Sequence, residues 1–284
     1  MQNVVHVYAM IYVDLYEILI GGTYMKLTVR FAVTTLTILL ITFGQQQAAQ
    51  AADFDHSKFD QILKTYVDTE GRVDYNGIAA DNTFREYMRS LENAKADSLS
   101  RDGQLAFWIN AYNAVTIDKV IKWKPKKSVR ETFVPGVWTG TKFFTSREHT
   151  VAGQRLSQDD IEHEILRKRF KDPRIHFAVI CASSGCPPLP QVAYTAENVQ
   201  ARLEEETSMY LHSDRGLQID YVENTMMLSK LFDWFAGDFE SKSGSVTNFI
   251  KPYLDEKAMA FIERMPKMSY IEYDWALNAK EPLK

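Results

Sequence analysis

The chain has 284 residues, of which 45% are apolar and 25% charged, and these fractions are ordinary for a globular protein. Its formal net charge of −4 gives no electrostatic reason to expect a nucleic acid as partner. The sequence contains no internal repeat and no low-complexity linker, so it indicates neither a repeat array nor a set of separate modules.

The N-terminal part has the pattern of a targeting segment that follows an unrelated extension. Residues 1–24 carry two acidic residues but no Lys or Arg, and we interpret them as the result of a start codon assigned too early. Residues 25–51 match a secretory signal peptide, with a basic start, an apolar run over 31–43 and cleavage after Ala51. That run is shorter than the roughly 20 residues needed to span a bilayer. We therefore expect an exported chain, periplasmic or secreted, that covers residues 52–284 without a stable membrane span.

Apolar residues at helical spacing predict most of the mature chain to be helical. The longest predicted helix, residues 102–123, carries apolar side chains on nearly every face, which indicates that it is buried. Another helix begins with a capping box formed by Ser157 and Asp160. Helices are predicted over residues 53–67, 83–94, 102–123, 156–170, 195–211, 246–254 and 256–265.

The remaining segments predict turns and short strands. Residues 71–81 are typical of a turn, and residues 133–155 fit turns with short strands. A strand is predicted over "RIHFAVIC", residues 174–181, because this run is rich in β-branched and aromatic types. A hairpin is predicted over 216–232 and a closing strand over 269–275. The expected fold class is α+β, a single domain with a buried central helix packed on a small, mostly antiparallel sheet.

Polar residues on the predicted helices are candidates for a site. Asn110 and Asn113 share one face of the buried helix, and an unpaired buried amide costs about 1–3 kcal/mol. They therefore either hold a neighbouring loop or face a ligand or catalytic group. Glu162 and His163 on the capped helix, with Arg174 in the predicted strand, are further candidates for a ligand pocket, although ion pairs or solvent exposure also explain them.

Cys181 and Cys186 are the only cysteines of the chain, and three interpretations of them stay open. A disulfide would fix the shape of the Ser-Ser-Gly loop between them, as is usual for exported chains. A thiolate nucleophile would need a base, for which His149, His163 and His176 are available. A zinc site would have to collect ligands from distant segments, so we expect neither a metal nor another cofactor.

The predicted strand affects the choice of base. In a regular strand His176 and Cys181 point to opposite faces, so His176 would be a poor base for Cys181. It could meet Cys186 if the loop turns back, which Gly185 permits. Cys186 is therefore the preferred nucleophile and His176 the preferred base in any enzymatic interpretation.

Four segments together resemble the family called domain of unknown function 547. They are "FWINAYNAVTI", "LSQDDIEHEILR", "DPRIHFAVICASSGCPPLP" and "LFDWFAGDF", and their order matches that family over roughly residues 100–240. The resemblance is to an exported, bacterial-type member, and it implies a single domain without implying an activity. The family positions implied in this chain are Asn110, Asn113, Glu162, His163, Arg167, Asp172, Arg174, His176, Cys181, Cys186 and Pro187.

Two functions are consistent with these residues. The first is a disulfide-braced binding module whose polar pocket holds a small molecule or a peptide. The alternative is a cysteine-dependent hydrolase or acyltransferase that uses Cys186 or Cys181 with a histidine base.

Overall fold

The computed structural model describes residues 53–131 and 142–284. The predicted upstream extension over 1–24 and the predicted signal peptide over 25–51 lie outside the described residues. So does the first part of the region where turns and short strands are predicted, residues 133–141.

Helices make up most of the described chain, and all seven helices predicted from periodicity are present. The α-helices are α1 (Ser57–Tyr66), α2 (Tyr75–Ala80), α3 (Asn82–Glu92), α4 (Arg101–Trp123), α5 (Lys142–Thr145), α6 (Val199–Leu211), α7 (Leu231–Trp234), α8 (Ala236–Ser243), α9 (Val246–Ile250) and α10 (Glu256–Ile262). A π-helix spans Asp160–Phe170, and 3-10 turns span Ala96–Ser98, Val129–Glu131, Pro173–Phe177 and Lys251–Tyr253. Among the described residues, none of these helices is long and apolar enough to cross a membrane.

Helix α4 forms the centre of the molecule because it is apolar on nearly every side. The Ser100 hydroxyl caps its first turn by accepting a hydrogen bond from Gly103 N–H at 3.0 Å. Its main neighbours are the π-helix, α2 and α6, so helices rather than a sheet provide most of its packing. The buried central helix is thus as predicted, and the fold class is α+β.

The strands form two small sheets. β1 (His149–Val151) and β2 (Gln154–Leu156) make an antiparallel hairpin within the region predicted to hold short strands. β3 (Leu217–Asp220) and β4 (Thr225–Leu228) pair antiparallel around the predicted turn. β5 (Lys267–Tyr270) adds to β4 in parallel, slightly before the position predicted for the closing strand.

The turn predicted over residues 71–81 is partly wrong, because α2 lies within it. The Asp74 carboxylate accepts a hydrogen bond from Gly77 N–H at 2.8 Å and so caps this short helix. An Asp three residues before the amide that it caps is a local signal for a helix start. In "DYNG" the asparagine and the glycine, which are typical of turns, obscure that signal.

The strand predicted over residues 174–181 is also wrong. The segment begins as the 3-10 turn Pro173–Phe177, and the Asp172 carboxylate caps that turn by accepting from Arg174 N–H at 3.0 Å. An Asp followed by Pro at the first helical position favours a helix start, and this signal outweighs the β-propensity of the residues that follow.

The segment is apolar because it lies between two hydrophobic clusters, not because it belongs to a sheet. Ile175 packs into the cluster around α4, whereas Phe177 packs into a second cluster built from α6 to α10 and β4. Residues buried from both sides give a continuous apolar run that resembles a buried strand.

Asn110 and Asn113 tie α4 to two such irregular segments. Asn110 Nδ2 donates to the Tyr194 carbonyl at 2.7 Å and Asn110 Oδ1 accepts from Tyr194 N–H at 3.1 Å. Asn113 Nδ2 donates to the Ala178 carbonyl at 2.9 Å, and its Oδ1 accepts from Ile180 N–H at 3.0 Å. Each side-chain amide therefore supplies the hydrogen-bond partners that the backbone of a buried loop would otherwise lack.

Replacing Asn113 with Ala should destabilise the fold by about 2–4 kcal/mol, because it leaves a buried carbonyl and a buried N–H without partners. The measurement is urea unfolding followed by circular dichroism. Asn93→Ala, at an exposed asparagine, is the matched control, and its effect should stay below about 0.5 kcal/mol. Equal effects of the two substitutions would contradict the assigned role.

Candidate functional site

A cavity of about 250 Å³ lies where the π-helix, α7, the loop carrying both cysteines and the C-terminal segment meet. We call residues 181–187 the cysteine loop and residues 271–278 the C-terminal segment. Most of the cavity wall is apolar and aromatic. The aromatic side chains that line it are Tyr112, Phe144, Trp234, Phe235, Tyr273 and Trp275.

The polar lining comes mainly from the π-helix. Asp159, just before that helix, and Glu162 and His163 within it line the cavity, together with His176. Both carboxylates therefore face a mostly aromatic space. None of the described lining residues is Lys or Arg.

His176 is held firmly on one side of its ring and has no partner on the other. Its Nε2 lies 2.8 Å from Asp238 Oδ2, and because a carboxylate only accepts, Nε2 carries the proton. The ring is buried and stacks on Phe235 with centroids 3.8 Å apart. Its Nδ1 lies 3.7 Å from Glu162 Oε1, beyond hydrogen-bond distance, and has no hydrogen-bond partner among the described residues.

Arg167 completes this arrangement through Asp238. Its Nε donates to Asp238 Oδ2 at 2.6 Å and its Nη2 donates to Oδ1 at 3.0 Å, so the pair is bidentate. Arg167 Nη1 also donates to His163 Nδ1 at 2.7 Å. Burial alone would raise the pKa of Asp238, but the hydrogen bonds and charges of His176 and Arg167 lower it well below its ordinary value.

Glu162 remains a carboxylate despite its burial. The side chain is only 12% exposed, and burial would by itself raise its pKa. The neighbouring His176 and His163 and the hydroxyl of Tyr112 lower it instead, so the pKa lies below the usual value. The cavity therefore holds a negative charge at neutral pH.

Three of the aromatic rings in the cavity wall form a cluster. The centroid of Tyr273 lies 4.8 Å from that of Trp234 and 4.7 Å from that of Trp275. Trp234 is 45% exposed, an unusual position for so large an apolar ring. The cluster therefore presents aromatic faces and edges at the cavity entrance.

Cys181 and Cys186 form a disulfide that also lines the cavity. Ala182, with a φ of 60°, turns the chain between them, and Cys181 N–H points at Cys186 Sγ at 2.9 Å. The hydroxyls of Ser183 and Tyr273 lie 2.9 and 3.1 Å from Cys181 Sγ. They also lie 3.5 and 3.1 Å from Cys186 Sγ.

Backbone pairing with the C-terminal segment holds the cysteine loop in place. Ser184 N–H donates to the Ala276 carbonyl at 2.7 Å, and Gly185 N–H donates to the Asp274 carbonyl at 2.8 Å. A Cβ on Gly185 would lie only 2.9 Å from backbone atoms of Asp274, so this close approach requires glycine. The pairing brings the Tyr273 hydroxyl to the sulfurs and Trp275 to the cavity wall.

The structure brings together five of the predicted site residues. Cys181, Cys186, His176, Glu162 and His163 all line the cavity. The expectation that His176 and Cys181 point to opposite faces is wrong, because the parity argument requires a strand that the 3-10 turn replaces.

Asn110, Asn113 and Arg174, predicted to line the pocket, do not line it. Both asparagines bind loop backbone, while Arg174 forms ion pairs with Asp172 at 2.6 Å and Glu204 at 3.2 Å. Arg174 lies outside the cavity because the 3-10 turn directs its side chain toward Asp172, the residue that caps the turn.

His149, one of the possible bases, also lies outside the cavity lining. Its Nε2 is 2.6 Å from Asp118 Oδ2, so it belongs to a separate pair on β1 and α4. Within residues 53–131 and 142–284, no group of three or more His, Cys, Asp or Glu side chains is placed to hold a metal ion.

Several site residues were not predicted. Asp238, Trp234 and Phe235 lie within "LFDWFAGDF", a segment that carries the family resemblance. Tyr112 follows Asn110 on α4 by two residues. Tyr273 and Trp275 had no local signal, because they reach the site only through the backbone pairing of the cysteine loop.

The comparisons with known proteins identify a family and no individual relative. A family model described as "Protein of unknown function, DUF547" matches residues 96–211. Neither the curated proteins nor the solved structures gave a match. The matched range contains α4, the π-helix and the cysteine loop but not α7 or the C-terminal segment.

Asp238→Asn should lower the free energy of unfolding by about 1–3 kcal/mol at neutral pH, since His176 and Arg167 lose their shared charged partner. A carboxyl whose pKa is depressed by folding stabilises the fold above its unfolded pKa, near about 4. The difference from wild type should therefore shrink as the pH falls below that value. Urea unfolding at several pH values measures it.

Asp233→Asn is the matched control for this substitution. Asp233 pairs with Lys230 at 3.0 Å on the surface, and such a pair contributes about 0–1 kcal/mol. A difference for Asp238→Asn that stays constant into acid would show that the charge of Asp238 does not stabilise the fold.

Proposed function

The chain belongs to the DUF547 family of proteins of unknown function, and from that premise we propose that it binds a small ligand with a positively charged group in the aromatic cavity. The cation would be an ammonium group of a free molecule or of a peptide. The ligand would lie between the π-helix and the aromatic cluster of Trp234, Tyr273 and Trp275.

The observation that carries this proposal is the composition of the lining. Aromatic faces attract cations through the ring quadrupole, and a cation that loses water between several rings gains about 2 kcal/mol or more. Asp159 and Glu162 add negative charge. Arg130 already lies 4.7 Å from the Trp275 ring and Arg167 lies 5.1 Å from the Phe235 ring, so Trp234 and Tyr273 are the rings proposed to contact the cation of the ligand. A volume of about 250 Å³ suits a compact ligand.

The free nitrogen of His176 supports a ligand with a second polar group. A buried polar atom without a partner is uncommon in folded proteins and costs about 1–3 kcal/mol. Nε2 donates to Asp238, so Nδ1 is the ring atom that remains for a ligand. A polar group of the ligand would satisfy it, and Asp238 would hold the ring in this orientation.

We further propose that binding takes place outside the cytoplasm. The signal-peptide pattern of residues 25–51 and the pairing of both cysteines in a disulfide support this location. The disulfide would then form part of the cavity wall in that compartment.

Titration with choline should change the tryptophan fluorescence, because Trp234 and Trp275 line the cavity. The neutral isostere 3,3-dimethyl-1-butanol should bind roughly tenfold more weakly, since it lacks the charge but not the shape. The tripeptide Gly-Lys-Gly tests whether a peptide ammonium is accepted instead.

Trp234→Ala should abolish the response, whereas Trp123→Phe, at the end of α4 and outside the cavity lining, should leave the affinity unchanged. Equal affinity for choline and the neutral alcohol would refute a cation site. If none of the three probes binds, the proposal as a whole is refuted.

Thiol catalysis is the second candidate function, and it is supported by the presence of His176, with its unpaired Nδ1, and Cys186 in the same cavity lining. In a hydrolase or acyltransferase, Cys186 would be the nucleophile once the disulfide opens, with His176 Nδ1 as base and Asp238 as the group that orients the ring. After opening of the disulfide, the three residues would be a thiol, a histidine with one free nitrogen, and a carboxylate on the other nitrogen.

Cys181→Ser tests this candidate, because it frees Cys186 without a reductant. The variant should release nitrophenolate from p-nitrophenyl acetate in a burst roughly 100-fold faster than Cys186→Ser, which leaves only Cys181. Adding His176→Gln should remove most of the difference. Equal burst rates for the two cysteine variants would exclude Cys186 as an activated nucleophile.

A further inference from the structure

We propose that the Cys181–Cys186 disulfide undergoes exchange with small thiols that enter the cavity, with attack on Cys181 and release of Cys186 as a stabilised thiolate. This reaction is independent of the cation-binding proposal. It assigns a redox activity to a bridge that would otherwise be regarded as a structural brace.

The two sulfurs differ in accessibility. Cys181 is half-buried, whereas Cys186 is only 3% exposed. Both face the cavity, so a thiol reaches them from the solvent through the same opening. Attack is therefore favoured at Cys181, and the electron pair of the broken bond leaves on Cys186.

A backbone hydrogen-bond donor beside the bridge favours that direction. Cys181 N–H points at Cys186 Sγ at 2.9 Å and cannot serve Cys181 Sγ itself. The Tyr273 hydroxyl lies 3.1 Å from both sulfurs, whereas the Ser183 hydroxyl lies 2.9 Å from Cys181 Sγ and 3.5 Å from Cys186 Sγ in the closed bridge. After opening, all three donors can converge on Cys186.

The same donors discriminate between reactant and product. A disulfide sulfur is a weak acceptor, whereas a thiolate accepts charge-assisted hydrogen bonds that are roughly twice as strong as neutral ones. The donors thus stabilise the opened state more than the closed one. Burial raises the pKa of Tyr273, so its hydroxyl keeps the proton that it donates.

The exchange balances without a further reactant. A thiolate RS⁻ forms a bond to Cys181 Sγ, the S–S bond breaks, and Cys186 becomes the thiolate, so the products are RS–S–Cys181 and Cys186–S⁻. A second thiolate then attacks the RS sulfur, which releases RS–SR and the Cys181 thiolate. Two electrons pass from the external thiols to the protein.

The experiment treats the full oxidised protein with 2-mercaptoethanol, stops the reaction with acid, alkylates free thiols and maps the peptides by mass spectrometry. The mixed disulfide should lie on Cys181 and the alkyl group on Cys186 with at least roughly tenfold preference, because the better-stabilised thiolate leaves faster. Equal labelling of the two positions would overturn the proposal.

Two variants test the donors. Tyr273→Phe and Ser183→Ala should each slow opening by roughly fivefold, because each removes one donor to the leaving thiolate. Tyr221→Phe, at an exposed tyrosine in the β3–β4 turn, should open at the wild-type rate. If both donor variants open as fast as Tyr221→Phe, the donors do not assist the leaving sulfur and the proposal fails.

Discussion

The amide of Asn113 is the interaction on which the site depends. It holds the backbone of Ala178 and Ile180 where neither a strand nor a helix provides partners. That short segment joins His176 to Cys181, so one side chain on α4 sets the spacing of the histidine and the sulfur. Because α4 is buried along most of its length, Asn113 has a fixed position, and its hydrogen bonds fix the irregular backbone of this segment.

Irregular backbone at this place has a packing cause. The segment passes between two hydrophobic clusters and must present Ile175 to one and Phe177 to the other. His176, between them, cannot enter either cluster as a polar residue without a partner. Asp238 provides that partner on one ring nitrogen, while the other nitrogen faces the cavity. The site thus lies between the two clusters, where the polar atoms of His176 cannot be buried among apolar side chains.

The sequence predicted the helices well, because their apolar spacing and caps are local. It identified Glu162, His163, His176 and the cysteines as candidates, since titratable residues cluster in recognisable segments. The predicted strand after Asp172 is wrong because the Asp-Pro signal for a helix start outweighs the β-propensity of the residues that follow. The sequence could not place Tyr273 and Trp275, because their position follows from backbone pairing across about 90 residues, for which side-chain patterns carry no information.

Tyr273 links the two activities inferred for the cavity. Its ring belongs to the aromatic cluster that would contact a cation, and its hydroxyl donates to the sulfurs. A ligand that fixes the ring therefore also fixes the donor, and a thiolate on Cys186 adds a negative charge beside the bound cation. Coupling between sites is reciprocal, so a cation that binds the reduced form more tightly must also favour opening of the bridge. The two proposals are tested separately, and they would be coupled only for a cation that distinguishes the two redox states of the bridge.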